Sequence, residues 1–183
     1  MVDRVKREGI RPAPENPERM VVLGIDPGTA ATGYGVVARR GGRLLALDGG
    51  MIETSPDEPP ADRLAFIFER VAALLDEHAP EAMAVEELYF GANVRTAFAV
   101  GQARGAVLLA AGQRGIACAA YTPQQVKGAV CGNGRAQKAQ VQTMVAHLLG
   151  LADLPSPDHA ADALAVAICH ANRAPLAAAL ATA

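Results

Sequence analysis

The sequence predicts a mixed α/β domain: a five-stranded sheet, its first three strands an antiparallel meander and the rest parallel, flanked by helices. Three observations point there. Strand-like apolar runs near 20–26, 32–38 and 43–53 are joined by short glycine-bearing turns at 27–31 and 40–42, the spacing of hairpins. After residue 53, helix-like and strand-like segments alternate, which places helices over the sheet. Finally, Val21-Val22-Leu23-Gly24-Ile25 ends on Asp26-Pro27-Gly28, an apolar β-branched run stopped by an acid and a turn.

The later elements follow from period and punctuation. Leu64, Phe66, Ile67, Val71, Leu74 and Leu75 recur at helical spacing over 61–78. A strand at 82–88 lies between Pro80 and Gly91, and a helix at 92–113 precedes a strand at 116–120. Thr122-Pro123 is an N-cap and first-turn pair for a short helix, which Gly128–Gly134 is expected to break. A helix at 136–149 follows, and a last one begins at Ser156-Pro157 with Pro157 in its first position. Residues 1–19 mix basic and acidic residues with three prolines, which predicts a disordered extension, and Met20 is itself a candidate start. The folded domain is expected over 20–173, with a small-residue tail at 174–183.

A chain of 183 residues, 51% hydrophobic and 20% charged, suits one well-packed domain. Residues 1–86 carry 15 acids against 10 bases, whereas 87–183 carry 4 acids against 7 bases. A surface built from the second half therefore suits a polyanion, although scattered solvated charge explains the count as well. Cys118, Cys131 and Cys169 show neither zinc spacing nor an even count, so reduced thiols in a cytoplasmic protein are expected. No run reaches the roughly 18–20 apolar residues of a membrane span.

The chemistry is carried by acids. A carboxylate ending a central strand is costly to bury unless a cation faces it, which singles out Asp26. Glu86 interrupts another apolar strand; alternation places it on one face with Ala82 and Ala84, and Glu87 on the other with Met83 and Val85. On the last helix, His159 and Asp162 stand three apart and Asp158 and Asp162 four apart. Hard divalent cations take oxygen ligands from separate elements, and such a set suits two metals, one activating water and one stabilising a leaving oxygen. Asp158 has a plainer use at a helix N-terminus.

Taken together, Gly24-Ile25-Asp26-Pro27-Gly28 with Thr32-Gly33-Tyr34-Gly35-Val36, Ala84-Val85-Glu86-Glu87-Leu88-Tyr89, Gly101-Gln102-Ala103-Arg104-Gly105, Gln125-Val126-Lys127, Lys138-Ala139-Gln140-Val141-Gln142 and His159-Ala160-Ala161-Asp162-Ala163-Leu164-Ala165 resemble, in order, the motifs of the bacterial RuvC crossover-junction endodeoxyribonucleases. The resemblance spans about 20–173. It implies a ribonuclease-H-like fold, a homodimer, a branch-migration helicase complex as partner, and symmetrical Mg²⁺-dependent nicking of four-way DNA junctions. The acidic tetrad of that family falls on Asp26, Glu86, His159 and Asp162, as ligands of two Mg²⁺ or Mn²⁺ ions. His159 departs from the commonest all-carboxylate pattern, and Asp158 stands just before it.

The resemblance also places a base-stacking aromatic at Tyr89, leaving Phe90 to the core, and DNA-facing bases at Lys127 and Lys138. Arg135 joins them because it flanks the glycine-rich segment. Small residues around Gly101 and Gly105 permit close packing, on the sheet or on a second copy of the chain. Three other readings stand beside this one: an actin-like or sugar-kinase ATPase piece, a non-catalytic junction binder of the same fold, and a ribosomal-RNA-processing nuclease. The first needs a second Asp-Gly phosphate loop, which the chain lacks.

Overall fold

The computed structural model describes residues 19–87 and 94–181, with side chains for 19–87 and 97–174. Strands β1 (Arg19–Asp26), β2 (Ala31–Arg40), β3 (Arg43–Glu53), β4 (Ala82–Glu86) and β5 (Ala117–Tyr121) form one sheet in the order β3-β2-β1-β4-β5. β1, β2 and β3 pair antiparallel, while β4 lies parallel to β1 and β5 parallel to β4. The helices are α1 (Pro60–His78), α2 (Val94–Gln113), α3 (Pro123–Cys131), α4 (Lys138–Leu149) and α5 (Asp158–Ala181).

Both faces of the central strands are covered, which is why they read as continuous apolar runs. Val21, Leu23, Ile25, Met83 and Val85 pack under α1 and α2 with Ile67, Val71 and Val107. Val22 and Ala84 face α3, α4 and α5, with Val126, Val141, Val145 and Ile168. Phe66, an apolar member of the helical pattern, faces outward instead and is 44% exposed.

Helix α5 lies close against β1 and β2 because the strands offer glycine where it crosses. A Cβ on Gly24 would collide with the Ala163 carbonyl and stand 2.7 Å from the Ala167 nitrogen; one on Gly33 would collide with the backbone of His159. The helix answers with small residues, Ala160, Ala161, Ala163 and Ala167, all buried. Close approach thus happens here, whereas Gly105 on α2 has open space where a side chain would be.

Several boundaries differ from expectation. Gly128 does not break α3: Val126 and Val130 bury one face of the helix, which continues to Cys131 and ends at Gly132 in the left-handed conformation, φ 70°. Its start is as expected, with Thr122 and Gln125 capping each other reciprocally. α4 begins at Lys138, after a turn at 133–137, and α5 begins at Asp158, with Pro157 just outside it. α5 also continues to Ala181 where a tail was expected from 174; its alanine-rich end is a strong helix former. Of the expected extension 1–19, only Arg19 lies within the described residues, paired with Arg40. Among the described residues no helix is long and apolar enough to cross a membrane.

Candidate active site

Asp26 closes β1 and Glu86 closes β4, the two strands adjacent and parallel, so both carboxyls emerge at the same end of the sheet. The turn after Asp26 is fastened by Thr32, fully buried, whose hydroxyl donates to the Gly28 carbonyl at 2.5 Å. Above this strand end sits the first turn and a half of α5, lowered onto Gly33. His159 Nδ1 lies 2.8 Å from Asp26 Oδ2. Asp26, His159 and Asp162 each offer a ligand atom, all within 4.8 Å of one another. The imidazole is 45% exposed and the Asp26 side chain 18%, so the group opens to solvent on the His159 side.

Glu86, on the neighbouring strand, stands beside this group but is not among the three residues whose ligand atoms fall within 4.8 Å of one another. Burial, then the Asp26 and Asp162 carboxylates and a hydrogen bond with Asp26, push its carboxyl up to about 7, against the opposing pull of Lys127. Burial also raises Asp162 above the usual carboxylate range, although Lys138 opposes the shift. Carboxyls crowded this way repel one another until a proton or a cation stands between them. Carboxylate oxygens with one imidazole nitrogen, within reach of a single centre, suit a divalent ion of the Mg²⁺ or Mn²⁺ kind.

The Glu86 shift has a measurable consequence. Between about 4.5 and 7 the folded chain holds a proton there that the unfolded chain has released. Stability in chelator therefore falls as pH rises through that window. Glu86→Gln is expected to remove this loss and stabilise the chelated protein at pH 8 by about 1–3 kcal/mol, while changing little at pH 5. Thermal melts at both pH values check it; equal pH dependence in variant and wild type would refute the shift.

Basic side chains stand on the α3 and α4 side. Glu86, Lys127, Lys138 and Asp162 line one cavity of about 160 Å³, floored by Val126, Val141 and Ala165. Lys138 Nζ sits between Asp158 and Asp162. Asp158 is thus turned away from the ligand group, its other oxygen accepting from Gln142. Gln142, quoted in the sequence only as the end of the motif that Lys138 opens, was given no role there, although it lies one helical turn from Lys138. Arg135 is exposed on the turn before α4 and is not among the residues lining that cavity. Tyr89 and Phe90 lie outside the described residues.

Comparison with known proteins identifies the family. The sequence model of the family "Crossover junction endodeoxyribonuclease RuvC" matches residues 22–170. The protein of that name from Moorella thermoacetica is 56% identical over 156 residues, 85% of this chain and 93% of the relative. That from Pelotomaculum thermopropionicum is 52% identical over 153 residues, 84% of this chain and 93% of the relative. Among solved structures, Thermus thermophilus RuvC in complex with Holliday junction substrate superposes with a TM-score of 0.83 at 46% identity, covering 86% of this chain and 96% of that one. The yeast mitochondrial Holliday junction resolvase Ydc2, 13% identical with a TM-score of 0.61, shares the fold. On this match across residues 22–170, the chain belongs to the RuvC family of crossover junction endodeoxyribonucleases.

Proposed function

We propose that this chain is a divalent-metal-dependent endonuclease that resolves four-way DNA junctions by nicking two opposed strands, in recombination and repair. The observation that carries the reading is the convergence of Asp26, His159 and Asp162 within 4.8 Å, with Glu86 beside them. Asp26, Glu86, His159 and Asp162 are the residues that would hold the metal. When bound there, two ions would lower the pKa of a water nucleophile and stabilise charge on the leaving oxygen, giving 5′-phosphate ends. Glu86 would give up its proton when a cation is held beside it, because a bound cation favours the carboxylate. His159, bonded to Asp26 and 45% exposed, would ligate or carry a proton. Lys127 and Lys138 offset phosphate charge at the rim, with Arg135 on the approach. Tyr89 is the proposed base-stacking residue, a contact worth about 1–3 kcal/mol per base.

A homodimer belongs to the same reading. α2 carries Phe98 and Leu109, 68% and 55% exposed, three turns apart on one face with Gly105 between them. That apolar stripe fits a second copy, and two sites suit a nearly two-fold substrate. The branch-migration helicase complex enters the proposal on resemblance alone, and a cytoplasmic location on the odd, unspaced cysteines. A non-catalytic junction binder is the less favoured reading, since it has no use for a full ligand set.

The test is incubation of purified protein with a synthetic four-way junction and a linear duplex of the same sequence, in Mg²⁺, Mn²⁺ or chelator. Paired symmetrical nicks in the junction, none in the duplex and none in chelator are expected. Mn²⁺ should support cleavage at least as well as Mg²⁺, because imidazole ligation suits Mn²⁺ better. Equal cutting of the duplex, or an intact junction in both metals, contradicts the proposal; a clear Mg²⁺ advantage contradicts imidazole ligation.

A further inference from the structure

Two helix starts face each other across the rim of the site. Lys138 and Gln142 stand one turn apart on α4, Asp158 and Asp162 one turn apart on α5. Lys138 Nζ lies 3.1 Å from Asp158 Oδ2 and 3.3 Å from Asp162 Oδ2, while Gln142 Nε2 donates to Asp158 Oδ1 at 2.9 Å. Asp162 is therefore in two sets at once: it partners the ammonium and belongs to the group with Asp26 and His159. A divalent ion on Asp162 and an ammonium on the same carboxylate compete, and Asp158 offers the ammonium a second anchor without leaving the rim.

We propose that Lys138 competes with the divalent cation for Asp162, and that Asp158, held by Gln142, is the positioning residue that receives Lys138 when the metal binds. This rests on Asp162 being a metal ligand. Asp158 acts only through Lys138, so its effect vanishes when the ammonium is gone. A plain long-range charge at Asp158 behaves differently, since it attracts the metal whether or not Lys138 is present. The two cases separate in a double-mutant cycle.

The experiment is calorimetric titration of Mn²⁺ into the full chain without DNA, for wild type, Lys138→Met, Asp158→Asn and the double variant. Lys138→Met is expected to bind Mn²⁺ about two- to fivefold more tightly, the scale of an exposed ion pair. Asp158→Asn should bind it more weakly by a similar factor. The double variant should match Lys138→Met alone. Equal weakening by Asp158→Asn with and without Lys138 overturns the proposal, as does an unchanged Kd in Lys138→Met. Wild type that binds no Mn²⁺ removes the ligand assignment itself, which is a different failure from the other two.

Discussion

Asp26→Asn is expected to lower junction cleavage by roughly 10³-fold or more, about 4 kcal/mol of transition-state stabilisation, while junction binding stays within a few-fold of wild type. The residue ends the central strand, bonds His159 and shares its ligand group with Asp162. Asparagine keeps the shape and an oxygen able to accept from His159, so the fold and the α5 contact survive. What disappears is the negative charge that a divalent ion requires. Binding is carried by phosphate contacts from bases elsewhere on the surface, and loss of an acid beside phosphates does not weaken them. Cleavage assays in Mn²⁺ and gel shifts in chelator separate the two effects. Cleavage within tenfold of wild type would remove Asp26 from the chemistry.

Gly33→Ala is expected to disable the site without replacing any of the proposed ligands. Its Cβ would collide with the His159 carbonyl, stand 2.6 Å from the carbonyl carbon and 3.0 Å from the His159 Cβ. Backbone cannot step aside as a flexible side chain can, so the first turn of α5 must lift or β2 must bend. Overpacking of this kind costs about 1–3 kcal/mol of stability. A shift near 1 Å in His159 and Asp162 costs on the order of 10²-fold in cleavage. Gly112→Ala on α2, where added atoms meet nothing within 4 Å in the single chain, is the contrast in stability, which should rise by about 0.5–1 kcal/mol. Urea melts and cleavage rates read both variants. A Gly33→Ala protein as stable and active as wild type would show that α5 does not depend on that approach.

The strand ends were readable in advance because each breaks a local rule. Asp26 and Glu86 are acids ending apolar runs, and their burial is tolerable only with a proton or a cation beside them. The alternation that separates Glu86 from Glu87 is a backbone property, so it too needed no coordinates. Likewise the Thr122-Pro123 cap depends on neighbours three residues away and was legible. Gly128 was not: its composition suggested a break, yet Val126 and Val130 bury enough apolar surface to carry the helix through it. The continuation of α5 to Ala181 was equally hidden by the assumption that a small-residue end is a tail.

Residue order and type alone therefore pointed to the candidate side chains, since strand period, capping and turn formation act over a few residues. Their assembly is another matter. That His159 rather than Asp158 faces Asp26, and that Lys138 with Gln142 claims Asp158, depends on how far α5 descends onto Gly24 and Gly33. These partners lie up to 133 residues apart in the chain. Only close packing of one helix on one sheet, governed by the missing Cβ atoms, decides which carboxylate reaches the cluster and which turns to the lysine.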